Sequence, residues 1–172
     1  MKALVTAEWT ADGQRRLEAL GYEVVRAGWG QTRQPLDRDA LIAAAAGSAL
    51  LVTEIEVVDA EVLAALPELR LVATARGGPV NVDLAACAAR GVPVLFTPAR
   101  NADSVADFVL GVLLSMTRGI AASERHLREV GWHVEGELPY LHFRGPELGR
   151  LRLGLVGYGA IGRRVAQRAI AG

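Results

Sequence analysis

The chain has 172 residues, of which 51% are hydrophobic and 22% charged, so it can bury a substantial core and lacks the composition of a disordered protein. Lys and Arg total 19 and Asp and Glu total 19, so no net charge draws the chain toward nucleic acid or an anionic membrane. A single cysteine excludes an internal disulfide, and no apolar run reaches the length of a membrane span. These features favour a small-molecule or protein partner. The N-terminal sequence also lacks the apolar core of a cleavable signal peptide, which predicts a cytoplasmic protein.

Short apolar runs alternate with helical stretches of about ten residues in the first part of the chain. Thr10, Asp37 and Asp59 each stand where a helix N-cap is expected, and a further helix is predicted over residues 81–90. The predicted strands cover residues 3–6, 23–27, 49–52, 69–75 and 92–96. Continuously apolar strands separated by helices are typical of a parallel sheet covered on both faces. Residues 1–98 are therefore predicted to form an α/β domain with flavodoxin-like strand order.

The pattern changes at Asn101, where a long helix begins whose apolar residues lie nearly all round its axis. A second helix is predicted over residues 121–130, and a loop rich in Gly, Pro and aromatic residues over residues 131–149. Residues 151–156 are predicted to be a strand and residues 160–171 a helix.

A glycine motif, GYGAIG, joins this last predicted strand to the last predicted helix. Gly157 would allow a tight turn, Gly159 would let the backbone approach a pyrophosphate, and Gly162 would allow close packing of helix on strand. The alternative is a glycine-rich turn in an ordinary strand-helix unit. Dinucleotide binding is favoured, and the predicted cofactor residues are Gly157, Gly159, Ala160, Ile161 and Gly162.

The acidic residue that would bind the adenosine ribose is expected about 20 residues after the motif, beyond residue 172. One strand and one helix are also too few to bury their apolar faces as a nucleotide-binding domain. The sequence therefore predicts that the chain is part of a longer protein.

Several motifs from about residue 63 onward occur in the order found in one enzyme family. They are residues 69–72, 76–78, 81–84, 91–94, 97–98 with Asn101, 104–106 and 147–148, followed by the glycine motif. In these segments the chain resembles the D-isomer-specific 2-hydroxyacid dehydrogenases, which include phosphoglycerate, glyoxylate/hydroxypyruvate and formate dehydrogenases. Residues 1–62 match this family only in the order and spacing of their predicted strands and helices.

The resemblance implies a two-domain enzyme, with residues 1–98 in the substrate domain and residues 99–172 beginning a Rossmann nucleotide-binding domain. Arg76, Gly77 and Gly78 would hold the substrate carboxylate, Asn101 would line the same cleft, and the glycine motif would bind NAD, with NADP left open. The catalytic Arg, Glu and His of the family fall beyond residue 172, so no catalytic residue is assigned here and the chain alone is expected to be inactive. A homodimer through about residues 100–145 is also implied.

Three departures from the family pattern bear on substrate and function. Asp107 stands where the family has Glu, and the loop from Arg76 is about two residues shorter than the common form. The phosphoglycerate enzymes carry an Arg after the third strand, whereas this chain has Thr53 followed by Glu54 and Glu56. The prediction is hydride transfer between NAD(H) and C2 of a small, unphosphorylated 2-hydroxy or 2-oxo acid. The alternative is a non-catalytic NAD-sensing or interaction module on the same fold.

Other reactive side chains have ordinary interpretations. His126, His133 and His142 lie seven and nine residues apart without nearby Cys or clustered carboxylates, so no metal site is predicted. Cys87 is predicted to be a small buried hydrophobic residue. Glu54 and Glu56 are interpreted as solvated loop charges.

Overall fold

The computed structural model describes residues 1–171, which form two compact units: residues 1–100, and the residues from 101 on. The first unit contains a five-stranded sheet. Its strands are β1 (Lys2–Val5), β2 (Glu23–Arg26), β3 (Ser48–Thr53), β4 (Leu71–Thr74) and β5 (Val94–Phe96). All pairs are parallel, in the order β2-β1-β3-β4-β5. This is the doubly wound order of flavodoxin-like folds, so the predicted fold class is confirmed.

Five helices connect these strands. They are α1 (Ala11–Ala19), α2 (Trp29–Thr32), α3 (Arg38–Ala45), α4 (Ala60–Ala65) and α5 (Leu84–Ala89). The predicted N-caps Thr10, Asp37 and Asp59 are confirmed, because each side chain accepts a hydrogen bond from a backbone N–H three residues later, at 2.9–3.1 Å.

Alternate residues of the neighbouring strands β1 and β3 lie in two separate hydrophobic cores. Leu4 and Leu51 belong to the larger core, which also contains residues of α3, α4 and α5. Val5 and Leu50 belong to the smaller core, against which Leu17 of α1 packs. Because successive side chains of a strand point to opposite faces, these apolar runs are buried on both sides of the sheet.

The helix predicted to begin at residue 81 begins later, at Leu84, with Asp83 as its N-cap. Residues 81–83 instead pair with the chain after β3: Val58 N–H donates to the Asn81 carbonyl (2.8 Å) and Asp83 N–H donates to the Val58 carbonyl (2.9 Å). This pairing keeps the segment out of the helix. The short helix α2 was not predicted, because four residues are too few to show a helical period.

The second unit contains helices α6 (Ala102–Thr117), α7 (Ile120–Glu129), α8 (Pro139–His142) and α9 (Ala160–Ala171). Helix α6 packs along α9, where Arg164 and Arg168 form ion pairs with Asp103 and Asp107 at 2.6–3.2 Å. No single described helix is long and apolar enough to cross a membrane. Helices α6 and α7 meet that test only when taken together, and the chain bends by 60° between them.

The strand predicted over residues 151–156 is not formed in the described part of the chain, and this prediction is wrong. A strand is stabilised by hydrogen bonds to neighbouring strands. No strand lies in the second unit as far as residue 171, and Val156 is fully exposed. The apolar run therefore lacks the partners that would make it part of a sheet.

Candidate functional site

The glycine motif forms a tight turn that leads into α9. Gly157 has φ +95°, a conformation that favours glycine. A Cβ on Gly162 would lie 2.4 Å from the Gly157 carbonyl oxygen, so only glycine lets the helix start this close to the turn. A Cβ on Gly159 would meet no atom within 4 Å. Two of the glycines are thus required by the turn itself, whereas Gly159 borders open space.

The first turn of α9 presents backbone N–H groups at this open space. Within residues 1–171, Arg163 N–H donates to the Gly159 carbonyl (3.0 Å), while the N–H groups of Ala160, Ile161 and Gly162 donate to no protein acceptor. Unpaired N–H groups at the start of a helix, together with the helix dipole, bind anions. The turn therefore fits a cofactor pyrophosphate.

A second group of unpaired N–H donors follows β4. In the described chain, the backbone N–H groups of Arg76, Gly77 and Gly78 donate no hydrogen bond, and a Cβ on either glycine would meet no atom within 4 Å. The Arg76 carbonyl accepts from both the backbone N–H (2.9 Å) and the hydroxyl (3.1 Å) of Thr97, which ties the loop to the end of β5. The carboxyl ends of parallel strands are where ligands bind in such sheets, and successive N–H groups there suit a carboxylate.

Charged groups surround the same edge of the sheet. The Arg76 guanidinium donates to the Glu54 carbonyl (3.2 Å), and the Glu54 carboxylate pairs with Arg100 (2.9 Å) and accepts from the backbone N–H of Glu8 (3.2 Å). Both guanidinium groups are therefore engaged with Glu54. The Glu54 side chain is only 16% exposed, so its interpretation as a solvated charge is wrong.

Glu56 lies deeper and was also misinterpreted, because it is 1% exposed. Its carboxylate accepts hydrogen bonds from the Thr6 hydroxyl (2.6 Å) and from the backbone N–H groups of Trp29 (2.9 Å) and Leu36 (3.4 Å). Burial raises the pKa of the Glu56 carboxyl. The hydrogen bonds from Thr6 and from the N–H groups of Trp29, Glu56 and Leu36 outweigh burial and hold that pKa below its usual value.

The sequence does carry one signal of this buried polar layer. A threonine lies at the end of each of three neighbouring strands: Thr6 directly follows β1, and Thr53 and Thr74 are the last residues of β3 and β4. All three threonines are at most 2% exposed. Buried hydroxyls need partners, so three of them at one edge indicated a polar network there.

Asn101, the remaining predicted substrate residue, directly precedes α6 in the second unit, and its side chain makes no capping hydrogen bond. Its predicted role beside the Arg76 loop stays a prediction.

The other reactive side chains have local partners. His126 Nε2 lies 2.6 Å from the His133 carbonyl, and His142 Nδ1 lies 3.1 Å from the Glu137 carboxylate. Among residues 1–171, no group of three or more His, Cys, Asp or Glu side chains is placed to hold a metal ion. Cys87 is buried, and burial, helped by the negative charge of Asp83, raises the pKa of its thiol.

Comparison with known proteins identifies the family. The model of the D-isomer specific 2-hydroxyacid dehydrogenase catalytic domain matches residues 3–169. The Bacillus subtilis protein YoaD is 37% identical over 169 residues, which is 97% of this chain and 49% of YoaD. A D-3-phosphoglycerate dehydrogenase of Mycobacterium tuberculosis is 45% identical over 136 residues, 78% of this chain and 25% of that enzyme.

Comparison with solved structures also finds members of this family. The NADPH-dependent glyoxylate/hydroxypyruvate reductase SmGhrB from Sinorhizobium meliloti, determined with NADP and malonate, is 30% identical with a TM-score of 0.70, and the alignment covers 99% of this chain and 50% of SmGhrB. The chain thus spans about half the length, or less, of these relatives. With a family model that matches nearly its whole length, the chain belongs to the D-isomer specific 2-hydroxyacid dehydrogenases.

Proposed function

We propose that the full-length protein is an NAD-dependent oxidoreductase that transfers a hydride between the nicotinamide and C2 of a small 2-hydroxy or 2-oxo acid. The observation that carries this proposal is the geometry of the glycine turn, which leaves the N–H groups of Ala160, Ile161 and Gly162 unpaired beside open space at Gly159. Together with family membership, this favours an enzyme over a non-catalytic NAD-sensing or interaction module on the same fold.

The cofactor pyrophosphate would accept hydrogen bonds from the first turn of α9, with Gly159 allowing the close approach. The bound nicotinamide supplies or accepts the hydride. NAD is proposed over NADP, although the cofactor of SmGhrB is NADP. The residues of this chain bind and orient the cofactor, while the catalytic Arg and the His and Glu that move the proton are expected beyond residue 172.

The substrate carboxylate would bind the N–H groups of Arg76, Gly77 and Gly78, which carry no other hydrogen bond among residues 1–171. A small, unphosphorylated acid is proposed, because the guanidinium groups of Arg76 and Arg100 are both engaged with Glu54. A phosphate at this edge would have to compete with the Glu54 carboxylate for Arg100 and with the Glu54 carbonyl for Arg76.

The test is NADH oxidation by the full-length protein and by a 172-residue version. We expect turnover of glyoxylate, pyruvate or hydroxypyruvate by the full-length protein and none above blank by residues 1–172, since the proton-transfer groups are expected further on. The same assay is run with phosphohydroxypyruvate as a phosphorylated substrate and with NADPH as the alternative cofactor. A full-length protein that binds NADH without turning over any of these acids would support the module instead. Turnover by residues 1–172 would contradict the placement of catalysis, and a preference for the phosphorylated acid would contradict the substrate class.

A homodimer through about residues 100–145 is part of the same proposal. In the second unit Phe108 and Met116 of α6 are 70% and 75% exposed, and Val112 is 38% exposed. Apolar surface of this extent favours association, most simply with a second copy about a two-fold axis.

We expect the full-length protein to have a dimer mass by light scattering over a dilution series and Val112→Asp to give monomers or aggregates, because the aspartate would be buried unpaired in the interface. Val57→Asp, at a 59% exposed valine of the first unit, is the matched control and should stay dimeric. A wild-type monomer at high concentration would refute the dimer.

A further inference from the structure

The loop that carries Arg76, Gly77 and Gly78 is closed at its base by a buried hydrogen bond. The chain leaves β4 at Thr74 and returns at Asn81, and the Thr74 hydroxyl donates to Asn81 Oδ1 at 3.1 Å. Thr74 is 2% exposed and Asn81 9% exposed. The two ends of the six-residue segment 75–80 are therefore joined by side chains that are shielded from water.

The amide nitrogen of Asn81 also makes a hydrogen bond. Asn81 Nδ2 donates to the Glu56 carbonyl at 2.9 Å and lies 3.5 Å from the Thr53 hydroxyl oxygen. The side chain at position 81 must therefore accept a hydrogen bond from the Thr74 hydroxyl and donate one to the Glu56 carbonyl. A neutral amide does both, whereas a carboxylate or an apolar side chain does not. Through Glu56, the base of the loop joins the polar layer that ends β1 and β3.

Beyond Arg76, which Thr97 ties to the end of β5, the two glycines of the loop have no close neighbours among the described residues to fix their shape. A Cβ on Gly77 or Gly78 would meet no atom within 4 Å, and Gly77 is exposed. Two adjacent glycines have wide backbone freedom, so ordering them around a ligand carries an entropic cost unless the flanking residues are held. The hydrogen bonds at Thr74 and Asn81 hold those flanking residues.

We propose that Thr74 and Asn81 are positioning residues that set the shape of the 76–78 loop and so the strength with which its N–H groups bind the substrate carboxylate. This inference rests on the proposed function, which assigns the carboxylate to that loop. Neither residue touches the substrate: both act through the backbone that they join.

The test compares Thr74→Val with Thr74→Ser in the full-length protein. Valine keeps the volume but removes the hydroxyl, whereas serine keeps the hydroxyl. We expect Thr74→Val to raise KM for the 2-oxo acid about tenfold, because Asn81 Oδ1 loses its donor, with KM for NADH within about twofold of wild type. Thr74→Ser should restore the KM for the 2-oxo acid. Thr74→Ala removes the same hydroxyl and replaces the valine variant if that variant does not fold.

Leu63→Ala separates positioning from a general loss of stability. Leu63 is fully buried in the larger core, and its truncation should lower Tm without changing the KM for the 2-oxo acid. An unchanged KM in Thr74→Val would overturn the proposal. The proposal would also be overturned if Thr74→Val raised the KM values for both the 2-oxo acid and NADH and Leu63→Ala, at an equal loss of Tm, raised both to the same extent.

Amide hydrogen exchange gives a readout that does not depend on activity. Val80 N–H donates to the Gly78 carbonyl (2.9 Å) and Val82 N–H to the Pro79 carbonyl (3.1 Å), so both report on the loop. We expect these amides to exchange about tenfold faster in Thr74→Val than in wild type or Thr74→Ser. If the wild type turns over no 2-oxo acid, the proposed function fails while faster exchange still supports the closed loop. Equal exchange in all three proteins would overturn the closed loop itself.

Discussion

Replacing Gly159 by valine in the full-length protein should raise KM for NAD(H) by about 100-fold or more, because the side chain would occupy the space beside the N–H groups of α9 and displace the pyrophosphate. Loss of two hydrogen bonds to a charged group is worth about 3–6 kcal/mol, which corresponds to this factor. The fold should be retained, since a Cβ at Gly159 meets no atom within 4 Å. Valine at this N-cap position costs about 1 kcal/mol of helix stability, well below the expected loss of cofactor binding.

Steady-state kinetics, with NADH binding followed by fluorescence, measures this effect. Gly154→Ala, in equally open surroundings before the turn, is the control and should leave cofactor binding unchanged. Gly162→Val should behave differently and lower Tm, because its Cβ would lie 2.4 Å from the Gly157 carbonyl oxygen. A Gly159→Val protein with unchanged cofactor affinity would mean that the motif is only a turn.

Glu56→Ala should lower the free energy of unfolding by about 3–5 kcal/mol, because a cavity forms and buried donors lose their acceptor. The N–H groups of Trp29 and Leu36 and the Thr6 hydroxyl all donate to this carboxylate. Glu56→Gln keeps an acceptor for both N–H groups and offers an amide N–H to the Thr6 hydroxyl oxygen, so it should cost only about 1 kcal/mol. Urea denaturation measures both variants.

Glu68→Ala is the control for this measurement and should change stability by less than about 0.5 kcal/mol, because Glu68 is exposed. The pH dependence gives a second check. Because the pKa of the Glu56 carboxyl is lowered in the folded protein, its stabilising effect is complete above the unfolded value of about 4.3 and is lost as pH falls through the folded value. The advantage of wild type over Glu56→Gln should therefore shrink in acid. An advantage that grows in acid would contradict the lowered pKa.

Local sequence determined most of the first unit. The apolar runs that became β1 to β5 are short and continuous, and short-range capping chemistry at Thr10, Asp37 and Asp59 started the helices where predicted. Both signals depend on residues close together in the chain, which is why a single sequence carries them. The glycine motif was likewise visible because its spacing reflects a local turn.

Contacts between distant segments decided the rest. The sequence placed Glu54 and Glu56 in a loop and suggested solvated charges, but folding buries Glu56 against Thr6, fifty residues away. Pairing of Val58 with residues 81–83 delayed the start of α5 to Leu84, and residues 151–156 formed no strand because strand formation depends on neighbours and not on apolar character alone. Sequence by itself determined where chain segments prefer helix or strand and which turn could approach a phosphate. Only the tertiary structure decided which buried polar groups meet, because those hydrogen bonds join strand ends that the fold, and not the chain, brings together.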